Sequence, residues 1–267
     1  MCRILLVQSK TPLSIAQQLK PFAELSKNSR EFQGHGWGCS WLPVENNDNS
    51  GLEPVITDSE VSDEAGDNPV SDTNPQGSAN TSPQVAHSNK TSNACFDGKW
   101  HHYRNINPIW DCDFSDFGET KLLLVHARSA FRDEGIAIEN NMPFSDGESV
   151  FIFNGELRGV KIKSEGRIGA EKIYNYVRRM DKGDKQAALA KAVSIIEKRT
   201  SYIRAMNIVF SDGEKSVVSS TYSESPDYFQ MHQSKRDGVT RICSKPFPGE
   251  TDWQLIENNI TEEILCT

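Results

Sequence analysis

Apolar residues come in short bursts along this chain, and the spacing within a burst shifts between strand-like and helix-like. Residues 2–7 are apolar apart from Arg3 and run into Gln8-Ser9-Lys10, which predicts a short buried strand. Ile15, Leu19, Phe22 and Leu25 fall near helical spacing and predict a helix, with Pro21 disturbing it. Across residues 36–42, Trp37 and Trp41 alternate with small residues, a strand pattern. Residues 122–125 form a strong buried-strand run. Residues 150–153 form another, ending at the turn-favouring dipeptide Asn154-Gly155. Two helices come next, at 170–180 with the face Ile173, Tyr176, Val177 and Met180, and at 185–203 with Leu189, Val193, Ile196 and Ile203. Residues 205–210 and 215–220 flank Ser211-Asp212-Gly213-Glu214 and predict a hairpin, with weaker strands at 228–232 and 240–244. Strands, then two helices, then strands suggest a layered α+β domain rather than an alternating βαβ fold.

One stretch breaks this rhythm. From about 45 to 98 the chain is rich in Asn, Ser, Asp, Pro and Gly, and Val55-Ile56 is its only adjacent aliphatic pair. Such a segment buries too little apolar surface to offset its ordering entropy. It reads as a disordered acidic insertion within a single domain spanning 1–267. Its first 45 residues carry no Lys or Arg and nine acids, so a net charge of −8 leaves the rest of the chain close to neutral. Excess negative charge argues against nucleic acid as a partner. No run reaches the roughly 18–20 apolar residues of a transmembrane helix, and the N-terminus turns polar too soon for a signal peptide. A cytoplasmic protein without a membrane partner is expected. The six cysteines, Cys2, Cys39, Cys95, Cys112, Cys243 and Cys266, form no C-x-x-C pair and read as free thiols rather than a disulfide or zinc framework. His101-His102 lacks metal-ligand spacing. Trp100, Trp110 and Trp253 have no basic stripe beside them and read as packing anchors.

Three places can carry chemistry. Cys2 comes directly after Met1. Removal of Met1 would leave a thiol and a free α-amine on one residue, and the ordinary amine pKa of about 7.7–8.0 lets it serve as a base near neutral pH. Packing as a small buried residue is the plainer reading of Cys2 taken alone. Arg128 comes just after the 122–125 run, where a guanidinium at a sheet rim can fork onto a carboxylate or simply pair with a surface acid. Asn154-Gly155 offers an amide and an unhindered N–H suited to an oxyanion hole, or a hairpin turn.

Taken in order, the motifs say more. The chain opens Met-Cys-Arg and continues with Gly34-His35-Gly36-Trp37-Gly38-Cys39-Ser40-Trp41. Later come Val125-His126-Ala127-Arg128, then Asn141-Met142-Pro143-Phe144, Phe151-Ile152-Phe153-Asn154-Gly155 and Asn207-Ile208-Val209-Phe210-Ser211-Asp212-Gly213. This order resembles the class II glutamine amidotransferase family of N-terminal-nucleophile hydrolases, and within it the stand-alone YafJ-like and γ-glutamyl hydrolase-like members. The resemblance implies a four-layer αββα sandwich and hydrolysis of a γ-glutamyl amide, with no cofactor or metal. It implies Cys2 as nucleophile, Asn154 and Gly155 as oxyanion hole, Arg128 as the grip on the substrate α-carboxylate, and Trp37 and Gly38 as part of the strand lining the site. The expected partner is a small γ-glutamyl substrate. A synthetase fed with ammonia, a homo-oligomer, and a catalytically silent binding module on the same scaffold stay open. Three positions depart from the family pattern: His35 stands for an Asp, Met142 for a His, and Gly169 for the Asp that holds the substrate α-ammonium. Glu171 replaces that Asp only if its side chain reaches the site.

Overall fold

The computed structural model describes residues 1–44 and 92–265. Most of the expected acidic insertion, and Cys266, lie outside the described residues. The chain runs β1 (Arg3–Ser14), α1 (Ile15–Lys27), β2 (Trp37–Pro43), β3 (Ser92–Asp97), β4 (Trp100–Asn105), β5 (Glu119–Ala127), β6 (Phe144–Ser145) and β7 (Val150–Val160). It continues α2 (Gly169–Met180), α3 (Lys185–Lys198), β8 (Thr200–Ser211), β9 (Ser216–Ser220), α4 (Pro226–Phe229), β10 (His232–Arg236), β11 (Val239–Cys243), β12 (Trp253–Leu255) and β13 (Ile260–Ile264).

The strands form two antiparallel sheets. The first is eight-stranded, in the order β12-β10-β11-β1-β5-β2-β4-β3. The second is five-stranded, in the order β13-β9-β8-β7-β6. Alternation along each strand decides which face packs where. Leu5, Val7, Leu123 and Val125 face out and join Ile15, Leu19 and Phe22 of α1. Ile4, Leu6, Leu122 and Leu124 face in and join Ile152, Val209 and Val218 of the second sheet. On the far side of that sheet, Tyr174 of α2 stacks 5.4 Å from Phe151, and Leu189, Val193 and Ile196 of α3 complete the core. The layers are therefore helix, sheet, sheet, helix, the αββα sandwich expected.

Local departures from the sequence reading have physical causes. Helix α1 runs through Pro21 unbroken. Ile15, Leu19 and Phe22 are each fully buried, and this packing outweighs the one helical hydrogen bond a proline removes. Helix α3 is capped by Asp184, whose carboxylate accepts from the Ala187 N–H at 2.9 Å. It stops at Lys198, short of the expected 203. Residues 200–203 instead open β8 and pair with the end of β7, because a partner strand overrides local helical preference. Asn154-Gly155 is not a turn. Asn154 pairs with Asn207 and Gly155 with Met206 inside a continuous ladder. A Cβ at Gly155 would strike the carbonyl of Ala205, so this glycine serves close approach between β7 and β8. Residues 92–97, assigned to the insertion, form the edge strand β3 against β4. The expected strand at 228–232 begins instead as helix α4, with Pro226 in its first turn, and strand pairing starts at His232.

Candidate active site

The ladder between β1 and β5 sets Arg3 opposite Ala127 and Ile4 opposite His126. One further step along the same register brings Cys2 beside Arg128. By alternation, Cys2, His126 and Arg128 lie on the inner face with Ile4 and Leu6, toward the second sheet. The contact is direct at the backbone: the Ser129 N–H donates to Cys2 Sγ at 3.4 Å, and the Cys2 thiol donates to Ser129 O at 3.7 Å. Arg128 is 6% exposed, and its Nη1 has no partner among the described residues. Burial lowers the proton affinity of its guanidinium, and the nearby Cys2 sulfur opposes that shift.

The second sheet supplies the facing groups. Asn154 is fully buried on β7, on the side of Val150 and Ile152, and neither Nδ2 nor Oδ1 has a partner among the described residues. The ring of His126 lies against the backbone of Phe153, the residue before it. Strand β6 pairs only with Val150 and Phe151, so beyond them this edge of β7 has no strand neighbour among the described residues. A buried amide left bare costs about 1–3 kcal/mol. Asn154 keeps both ends of its amide bare on the inner face of the second sheet, and Arg128 keeps Nη1 bare at the end of the first, so each is open to a polar guest.

Not every expected residue reaches this place. Trp37 points the other way. It is fully buried in the outer core, 5.0 Å from Tyr103 and 5.9 Å from Phe114 by ring centroids, with its indole N–H on Cys112 Sγ at 3.1 Å. Pleat alternation forces this, since its neighbour Gly38 takes the inner face. The expectation that Trp37 contacts substrate is therefore corrected to a packing role. Gly38 does face inward, but a Cβ there would stand 2.5 Å from the Met142 carbonyl, so its bareness admits the 141–143 loop. Met142 itself belongs to the core.

His35 anchors the segment after Arg128. Its backbone N–H donates to Arg128 O at 3.1 Å, its Nδ1 accepts from the Ala130 N–H at 2.9 Å, and its Nε2 lies 3.3 Å from Asp133 Oδ1. Gly36 continues this contact, accepting from the Arg128 N–H at 2.8 Å with a φ of 102° that favours glycine. Gly169 opens α2, and a Cβ added there would point into open space. Glu171 is held by the Arg167 backbone and guanidinium, Nε to Oε1 at 3.0 Å, so its carboxylate is already engaged.

Two interior histidines set the acid limit of the fold. Burial, then Arg128, pushes His126 down to about 3. Burial, then Arg104, pushes His102 down to about 4, with its Nδ1 2.7 Å from Ser40 Oγ. In the unfolded chain both take a proton near about 6.5. Below that pH the unfolded state binds more protons than the folded one, so stability is full above about 6.5 and falls with pH, by about 1.4 kcal/mol per unit for each ring. Denaturant midpoints should fall between pH 7 and 4, and His126→Gln should flatten that fall. A slope unchanged by the substitution would show that His126 is not titrating in this way.

A further group around the chain start has no counterpart in the sequence reading. The Met1 ammonium pairs with Glu31, and the Met1 carbonyl accepts from Gln33 Nε2 at 2.5 Å and Tyr228 Oη at 2.8 Å. Arg3 stacks 4.0 Å above the Tyr228 ring and donates to Ser29 Oγ at 3.2 Å. Glu31 and Gln33 sit in an irregular loop and Tyr228 in a four-residue helix, so no periodicity points to them.

The fold overlays on the structure of a glutamine aminotransferase class-II domain protein from Silicibacter pomeroyi with a TM-score of 0.54, at 12% identity and over 100% of both chains. That likeness gives the fold alone, and it is the fold the sequence resemblance implies. Two more distant overlays carry no argument. One is with a predicted glutamine amidotransferase from Pseudomonas aeruginosa, at TM-score 0.47, 12% identity, and 98% and 96% coverage. The other is with the glutamine phosphoribosylpyrophosphate amidotransferase of B. subtilis, at 0.49 and 11%, where the match covers 91% of this chain and 42% of that one. No protein-family model matches the chain, and no curated protein matches it in sequence.

Proposed function

We propose that this chain is a cysteine amidohydrolase that cleaves a γ-glutamyl amide through a thioester on Cys2, after removal of Met1. The observation that supports the reading is the Cys2 thiol beside Ser129 and the unpartnered Arg128 Nη1 at one end of the first sheet, together with an unpartnered Asn154 amide on the inner face of the second. The freed α-amine takes the thiol proton, and Sγ attacks the γ-carbonyl carbon. The carbonyl oxygen becomes an oxyanion, held by Asn154 Nδ2–H and the Gly155 N–H. Collapse breaks the C–N bond, and the amine hands its proton to the leaving nitrogen. Water then cleaves the thioester, which releases glutamate and restores the thiol. Hydroxylamine added during turnover should divert the thioester to γ-glutamyl hydroxamate. Glutamate release with no hydroxamate would contradict a thioester route.

Arg128 is the group assigned to the substrate α-carboxylate. A charge-assisted pair is worth about 1.5–3 kcal/mol. Lysine keeps the charge but loses the planar fork. Arg128→Lys should therefore raise KM by about 10–100-fold with kcat changed far less. A fall in kcat at constant KM would move Arg128 from binding to the reaction itself.

One observation favours a second reading, a silent binding module. Gly169 offers no carboxylate for a substrate α-ammonium, and Glu171 is tied to Arg167. In that case Cys2 would form no acyl adduct with any γ-glutamyl electrophile.

A further inference from the structure

Met1 sits against the chain as a bound guest would. Its ammonium rests on Glu31, its carbonyl on Gln33 and Tyr228, and its side chain packs against the small cluster of Ala205, Tyr228 and Phe229. The two hydrogen-bonding side chains are built in: Gln33 is fully buried and Tyr228 is 3% exposed. Gln33 Oε1 has no partner among the described residues. Arg204 lies 3.7 Å from Glu31 but also 3.4 Å from Glu156, so its charge is divided between two carboxylates.

In the proposed hydrolysis, on which any role for this site rests, the Cys2 α-amine gives its proton to the leaving nitrogen. The two nitrogens must then come within about 2.6–3.2 Å. The Met1 carbonyl carbon is bonded to that same Cys2 nitrogen. The space Met1 vacates is thus the space open to the leaving group. We infer that the emptied Met1 site takes the amine half of the substrate. That half is a short alkylamine whose apolar stem lies on the cluster of Ala205, Tyr228 and Phe229, with a second, cationic nitrogen held by Glu31. The substrate class is the γ-glutamyl amide of a diamine. A free carboxylate on the amine half would meet Glu31 and be disfavoured.

Three γ-glutamyl amides of matched length test this, made from 1,4-diaminobutane, butylamine and 4-aminobutyrate. Their kcat/KM values would be measured on the processed protein and on Glu31→Gln, with Cys2 labelling by a glutamine-like diazoketone in the same samples. The diamine amide should exceed the butylamide by about 10–100-fold, and the aminobutyrate amide should be poorest. Glu31→Gln should remove the diamine's advantage and leave the butylamide close to its starting value. Labelled protein that shows no charge preference overturns this assignment alone. An equal loss on all three amides in Glu31→Gln places Glu31 on the glutamyl half and also overturns it. Absence of labelling overturns both this assignment and the hydrolase reading beneath it.

Discussion

Replacing Cys2 with alanine is expected to abolish glutamate release from every γ-glutamyl amide, a loss of at least about 10⁴-fold, as for other nucleophiles that act as one unit with their base. The fold should survive, because Cys2 is only partly buried and its described hydrogen bonds are the two weak sulfur contacts with Ser129. Its unfolding midpoint should shift by no more than about 1 kcal/mol equivalent. The other described thiols are poor substitutes. Burial pushes Cys39 well above the ordinary thiol range and Cys243 up to about 12. Cys112 is also raised by burial and accepts from the Trp37 indole. Cys95 is exposed on the edge strand β3, away from Arg128 and Asn154. Full activity in Cys2→Ala would therefore point to Cys95 among the described thiols, to Cys266, or to a mechanism without a thiol.

Asn154→Ala should lower kcat by about 10²–10³-fold while changing KM little, the usual loss for one oxyanion donor. Its effect on stability should have the opposite sign to that of most core substitutions. Deleting a buried amide that has no partner relieves a desolvation penalty of about 1–3 kcal/mol. A raised melting temperature together with a depressed kcat would mark Asn154 as a residue kept for function at some expense of stability. Lost stability with unchanged kcat would make it a structural side chain. Calorimetric unfolding alongside initial rates separates the two outcomes.

Much of the architecture could be read from spacing alone. The β1, β2 and β5 runs, helix α2 and the β8–β9 hairpin lie close to where their apolar patterns put them, because each pattern matches the face it buries. The misses share a cause. Residues 200–203 have helical neighbours before them and a strand partner across from them, and the strand partner decides. Asn154-Gly155 carries a turn signal, yet the ladder to β8 keeps it extended. Strand β3 hides in a composition that resembles its disordered-looking neighbours, and only its pairing with β4 reveals it.

At the site, the sequence placed Arg128 at a strand end, and the ladder of β5 shows which neighbours share its face: His126 does and Ala127, in the outer core, does not. The same alternation turns Trp37 away while Gly38 faces in, a distinction that a motif match does not make. Glu31, Gln33 and Tyr228 were illegible for a different reason. They come from a loop and a four-residue helix almost 200 residues apart, and only the folded chain brings them to Met1.

The most direct test of a processed Cys2 nucleophile is the intact-protein mass before and after incubation with a glutamine-like diazoketone. The expected result is a protein lacking Met1 that gains one adduct, mapped to Cys2 and prevented by excess γ-glutamyl amide. A retained Met1, a processed chain that takes up no adduct, or an adduct mapped to Cys95 would contradict it.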